Sequence, residues 1–224
     1  MSELVSHPRF AARRGAVRPR TWWAKAWVRA VEESAYDEAD LKSARALAGS
    51  GRLGSLGVGS GRAVCVHDES LTVTLALEVL DETASAAFVE VVSAQTGHLA
   101  ALLRGDLPHA LVEHAEEVGV ELVPFGGELA WSCGCDSWVD PCVHALALGY
   151  QLGWLLDQDP FVLLSLRGMG RAALLAALHE ARPAVTSQVG SAQGDPSDIT
   201  ADLEAAVAAS HAAQLLLDQL DQAP

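Results

Sequence analysis

Lysine is almost missing from this sequence, with two residues against thirteen arginines. No Gly-Lys dipeptide occurs, which excludes the phosphate-cradling loop of nucleoside triphosphatases, because that loop requires the pair. No serine stands in a G-x-S-x-G elbow, and His179-Glu180 lacks the second histidine of a metalloprotease helix. Long apolar runs are missing as well. The longest uncharged apolar stretch lies between Asp140 and Asp157, too short to span a bilayer. The N-terminus carries arginines but no apolar run ahead of a small-residue cleavage site, so no secretory signal is expected. Cysteines number only four, which argues against a disulfide framework and for a reducing, cytoplasmic compartment.

What is present is apolar and acidic. Half of the 224 residues are hydrophobic, enough to bury a core in one domain with an appendage or in two small ones. The charge is uneven. Residues 1–29 hold seven basic groups against Glu3 alone, a net of +6, whereas the remainder holds eight basic and 28 acidic groups, a net of −20. A phosphate backbone would be repelled by the body and attracted only to the N-terminal stretch. The carboxylates at Glu32-Glu33, Asp37–Asp40 and Glu116-Glu117 read as solvated faces rather than an acid–base pair, and no enzymatic activity is expected.

Periodicity predicts an α+β protein. Residues 1–20 read as a flexible basic arm. Thr21 is placed to cap a helix carrying Trp22, Trp23, Trp27 and Val31, and a second helix is expected over Tyr36–Leu47. Glycine-bounded alternation predicts three strands in an antiparallel meander, Arg52–Val58, Arg62–His67 and Leu71–Leu80. Cys65 falls in the second as packed core. A helical pattern runs from Asp81 to Glu117, with His109 and His114 partly exposed on it. A second hairpin is expected from Val120–Pro124 and Glu128–Cys133 across Phe125-Gly126-Gly127. Helices follow from near Pro141 to Leu156, after Asp159-Pro160, and over Arg171–Ala181. The Ser-, Gly-, Gln- and Pro-rich stretch 183–197 reads as a linker, and 198–224 as an amphipathic helix. Its apolar seam spans about three heptads and suits either packing on its own domain or a short coiled coil.

The chemistry concentrates at Cys133, Cys135, Cys142 and His144, spaced C-x-C-x6-C-x-H. Three thiolates and an imidazole complete a tetrahedral zinc set and leave no open position for substrate, so the expected ion is structural. Cys133 and Cys135 share one face at a strand end. Cys142 and His144 converge only if Cys142 precedes the regular helix, since i and i+2 within a helix diverge. The segment from about 120 to 156 should therefore depend on the metal.

Around these ligands, Cys133-Gly-Cys135-Asp-Ser-Trp138-Val-Asp-Pro141-Cys142-Val-His144 resembles the SWIM zinc finger family. Thr21-Trp-Trp-Ala-Lys-Ala-Trp27 upstream and Leu155–Gly168 downstream look like flanking motifs of a bacterial, mainly actinobacterial group, so the likeness touches residues 21–182. The resemblance implies zinc at the four ligands, a role in binding DNA or protein, and a helper role beside a Swi/Snf-type ATPase. Val143 stands where the family frequently has a basic residue, which weakens a phosphate-binding role for the finger. The leading expectation is a non-catalytic interaction module with a protein partner. The alternative is direct DNA or RNA binding through Arg9, Arg13, Arg14, Arg18, Arg20 and Lys25 beside the tryptophan-rich helix, although buried aromatic stripes are commoner than base-stacking platforms.

Overall fold

The computed structural model describes residues 4–13, 17–68 and 70–181. The expected linker at 183–197 and helix at 198–224 lie outside the described residues. The described residues form an α+β fold. One antiparallel sheet takes its strands in chain order: β1 (Val5–His7), β2 (Leu56–Gly59), β3 (Arg62–His67), β4 (Leu71–Ala76) and β5 (Ala130–Cys133). Around it stand α1 (Trp22–Glu33), α2 (Glu38–Gly49), α3 (Glu82–Ala94), α4 (Thr96–Leu103), α5 (His109–Glu117), α6 (Val143–Leu156), α7 (Phe161–Leu166) and α8 (Arg171–Ala181).

The meander follows its alternation. Ala63, Cys65 and His67 of β3 and Val73 and Leu75 of β4 are buried, all on positions of one parity. Ser60-Gly61 joins β2 to β3, with Gly59 opposite Arg62. Gly61 has φ +71, and a Cβ there would lie 3.1 Å from Val79 and 3.2 Å from the Leu77 carbonyl, so glycine is required. No single helix among the described residues is long and apolar enough to cross a membrane.

Two expectations are corrected. Part of the N-terminal arm is built into the sheet: β1 lies antiparallel to β2 with Val5 opposite Val58, and Phe10 is buried edge-on to Trp154. An unpaired β2 edge offers N–H and C=O groups that a short strand can satisfy, and three residues are too few to show an alternation. The second hairpin does not form. Val120 and Leu122 are buried, but their segment joins no strand, and β5 pairs instead with β4, Val73 opposite Cys133. The Leu122 carbonyl is taken by Arg167, whose Nε donates to it at 3.1 Å. Arg167 is buried, and its Nη1 donates to the Glu78 carbonyl at 3.0 Å while Nη2 faces the Glu128 carboxylate at 3.3 Å.

Helix α6 is the centre of the molecule. Every residue from Ala145 to Leu156 is buried, and β3, β4, β5, α1 and α2 all pack against the helix. Two glycines on α6 let α1 come close. A Cβ on Gly149 would lie 2.9 Å from Val31, and one on Gly153 would lie 2.8 Å from Val28. Of the α1 tryptophans, Trp23 and Trp27 are core residues and Trp22 is partly buried against the core, and all three have satisfied indoles. Trp23 donates to the Leu156 carbonyl at 2.7 Å, Trp27 to Gly149 at 2.9 Å and Trp22 to Leu107 at 2.9 Å. Thr21 does precede α1, but its hydroxyl does not cap that helix; it donates to Asp157 Oδ1 at 2.8 Å, beside the Thr21 and Arg20 N–H groups. Asp157 follows the last residue of α6, so one carboxylate fastens the start of α1 to the end of α6.

Two tests follow from these fasteners. Arg167→Ala leaves the buried Leu122 carbonyl and the part-buried Glu78 carbonyl without this donor and removes the cation facing Glu128, and should cost about 2–4 kcal/mol in denaturant melts. For Asp157, burial pushes its pKa up, but the Thr21 and Arg20 donors prevail and hold it below the ordinary carboxylate value. A depressed folded pKa stabilises above the ordinary value and is lost as pH falls through the folded one. Asp157→Asn should therefore cost about 1–2 kcal/mol at neutral pH, and the gap from the parent should close in melts run at progressively lower pH.

Candidate metal centre

The four expected ligands come together. Their ligand atoms all lie within 4.8 Å of one another, so the group can hold a metal ion. A tetrahedral ion with metal–sulfur bonds of about 2.3 Å needs sulfurs about 3.8 Å apart, so a small contraction closes the shell. Cys142 Sγ already stands 3.9 Å from His144 Nδ1.

Three elements supply these side chains. Cys133 is the last residue of β5, held in register by β4, and the Gly134 N–H donates to the Thr72 carbonyl at 3.2 Å. Cys135 lies in the loop two residues on, which Ser137 folds back by exchanging hydrogen bonds of 3.2 Å with Val139. Cys142 is the residue before α6, with extended backbone (φ −78°, ψ 170°), and His144 lies in the first turn. This meets the geometric condition read from the i, i+2 spacing: an extended Cys142 directs its sulfur to the side that His144 faces.

The electrostatics suit a cation. Burial pushes the Cys133 thiol up to about 12, and it also raises Cys142. At Cys135 burial is outweighed by the Ser137 N–H and the neighbouring thiols, which lower it. Three neighbouring thiols do not all ionise unaided, whereas a bound cation makes thiolates of them. The N-terminus of α6 adds partial positive charge, and the Ala145 and His144 N–H groups favour the Cys142 thiolate. Burial, then the nearby His67, lowers the His144 pKa, leaving a neutral imidazole with a free lone pair at neutral pH.

His67 is the neighbour that spacing did not disclose. Its ring lies 4.8 Å from that of His144, and its buried Nε2 stands 3.5 Å from the Asp68 carboxylate, with no hydrogen-bond partner among the described residues. Its signal was the alternation of Ala63, Cys65 and His67, which puts a histidine on the core face of β3. Cys65 is apart from the cluster, buried and inert, its thiol pushed up to about 12 by burial.

The cations named for nucleic-acid contact are dispersed. Arg9 donates to the Gly51 carbonyl at 2.6 Å, and Arg13 lies over Phe10 and Trp154 at 5.2 and 5.1 Å. Arg20 stands 3.7 Å from Asp157, while Arg18 and Lys25 line a cavity against α1, α2 and α6. Arg14 lies outside the described residues.

The purified chain should carry one metal ion. His144→Ala or Cys133→Ser should weaken metal binding by more than about a hundredfold, beyond the loss usual for an outer partner of a ligand. Chelation should lower the melting temperature of the parent and leave the Cys133→Ser protein unmoved. Elemental analysis and paired melts check both.

The chain is 29% identical, over 174 residues, to a Mycobacterium tuberculosis protein described as the uncharacterized protein Rv2102. The match takes in 75% of this chain and 62% of that protein. No protein-family profile matches the chain, and no solved structure does.

Proposed function

We propose that the chain is a non-catalytic interaction module of the SWIM zinc finger type, with zinc as the resident ion and a Swi/Snf-type ATPase as the partner it assists. The observation carrying this reading is the convergence of Cys133, Cys135, Cys142 and His144 from three separate elements. Three thiolates with one imidazole at tetrahedral spacing favour zinc over the harder divalent cations, and a four-ligand set leaves no position for a reacting group. An ion so enclosed stabilises shape. It would hold the loop Asp136–Pro141 to the start of α6 in a reducing, cytoplasmic compartment.

That loop presents an apolar surface. Trp138 is 84% exposed and lies 5.9 Å from Tyr36, itself 70% exposed, in an edge-to-face pair. Trp23, Trp27 and Trp154 are buried. An exposed pair of Trp138 on the metal-braced loop and Tyr36 between α1 and α2 is the composition of an interface anchor rather than of a core. The dispersal of the arm's cations favours this protein-binding reading over a nucleic-acid-tracking one.

Joint substitution of Trp138 and Tyr36 by alanine should abolish co-purification of the ATPase while leaving metal content and melting temperature at the parent values. Retention of the ATPase by the double variant would count against the reading.

A further inference from the structure

A second candidate site lies along α1 and shares no residue with the metal group. A cavity of about 470 Å³ opens between the stretch Val17–Pro19, α1, the end of α2 and α6. This is within the range of pockets that hold small organic ligands. Val28, Tyr150 and Trp154 supply an apolar floor, and Arg18, Lys25, Arg29 and Arg45 line its walls. Among the described residues, Glu32 is the one acidic group in the lining.

The charge of this cavity opposes that of the chain. Glu32 is already committed: Arg45 donates to its Oε1 at 2.7 Å and the Tyr150 hydroxyl at 3.0 Å. Arg29 reaches Glu33 on the outer face of α1 at 2.8 Å. Arg18 and Lys25 have no ion-pair partner among the described residues. Four cations against one carboxylate leave the lining at +3, in a chain whose net charge is −14. Like charges gathered around one concavity repel one another, and an anion entering it relieves that repulsion.

The kind of anion follows from charge and shape. Guanidinium groups match phosphate oxygens in pairs, and the lysine adds a mobile point charge. A phosphate monoester is close to a dianion at neutral pH, so it gains more from the two unpaired cations, Arg18 and Lys25, than a singly charged backbone diester does. A long polyanion would also have to cross the acidic body, whereas a small ligand would not. We propose that this cavity binds a phosphate monoester of nucleotide size, its phosphate between Arg18 and Lys25 and its organic part on the Val28, Tyr150 and Trp154 floor. The same chemistry is offered by a free nucleotide and by the 5′-phosphorylated end of a single strand.

Calorimetry on the full-length, metal-loaded chain tests this, with adenosine 5′-monophosphate, adenosine, inorganic phosphate, and a short oligothymidylate with and without a 5′-phosphate as probes. The monophosphate should bind, and adenosine should bind at least about a hundredfold more weakly, the loss expected for two charge-assisted contacts. Arg18→Ala and Lys25→Ala should each weaken the monophosphate about tenfold or more, with melting unchanged because both side chains are exposed. Inorganic phosphate should compete, more weakly. Stronger binding of the 5′-phosphorylated strand than of the nucleotide assigns the site to strand ends, and the reverse assigns it to free nucleotides. The proposal is overturned if adenosine binds as well as its monophosphate, if both variants bind like the parent, or if no phosphate-bearing probe binds. Metal content and ATPase association are read separately, so failure here is distinguishable from failure of the zinc-module reading.

Discussion

Twelve consecutive buried residues in α6, Ala145–Leu156, set the constraint around which the molecule is arranged, because a helix apolar on every side must be covered on every side. The sheet, α1 and α2 supply that cover together. The cover is close: Gly149 and Gly153 remove the side chains that would hold α1 away, and Trp23 and Trp27 donate to α6 carbonyls. Two polar fasteners add to this: Gln151, buried midway along α6, donates to the Ala48 carbonyl near the end of α2, and Asp157 just past α6 receives the start of α1.

Both candidate sites grow from that helix. Its N-terminus supplies His144, with Cys142 just before it, and it faces the end of β5, so the metal group ties the last strand to the central helix. Farther along, Tyr150 and Trp154 form the floor of the basic cavity, roofed in part by residues Val17–Pro19. The metal group thus lies where the sheet meets α6, and the cavity where α1 and α2 meet it. The two are chemically opposite: one is built from thiolates that gather a cation, the other from cations that accommodate an anion.

The N-terminal stretch changes meaning once it is folded. In sequence it is a run of arginines with the look of a nucleic-acid arm. In the structure, Arg9 bonds the Gly51 carbonyl, Arg13 covers Trp154, and Arg20 adjoins Asp157. Arg9, Arg13 and Arg20 are used locally, to fix the chain against the body, and among the described arginines of residues 1–20 it is Arg18 that lines the cavity. A basic run is therefore a poor guide to an open electrostatic stripe when the body offers carbonyls, carboxylates and aromatic faces to receive it.

What the residues determined by themselves was local. The ligand set, the extended Cys142 ahead of α6, the alternation of β3 and β4 and the span of α8 all follow from spacing within a few residues, where backbone periodicity alone decides which side chains can meet. Tertiary structure decided the rest, because it turned on competition between distant partners. Val120–Pro124 has strand-like alternation, yet β5 went to β4 and Arg167 claimed the Leu122 carbonyl. Val5–His7 is too short to announce itself, yet an unpaired β2 edge made it a strand. His67 beside His144, and the meeting of Arg18 and Arg45 with the Lys25–Arg29 face of α1 around one cavity, join residues from separate elements that no sequence period connects. Such contacts depend on the burial of α6, which gathers the sheet and the two helices around one axis.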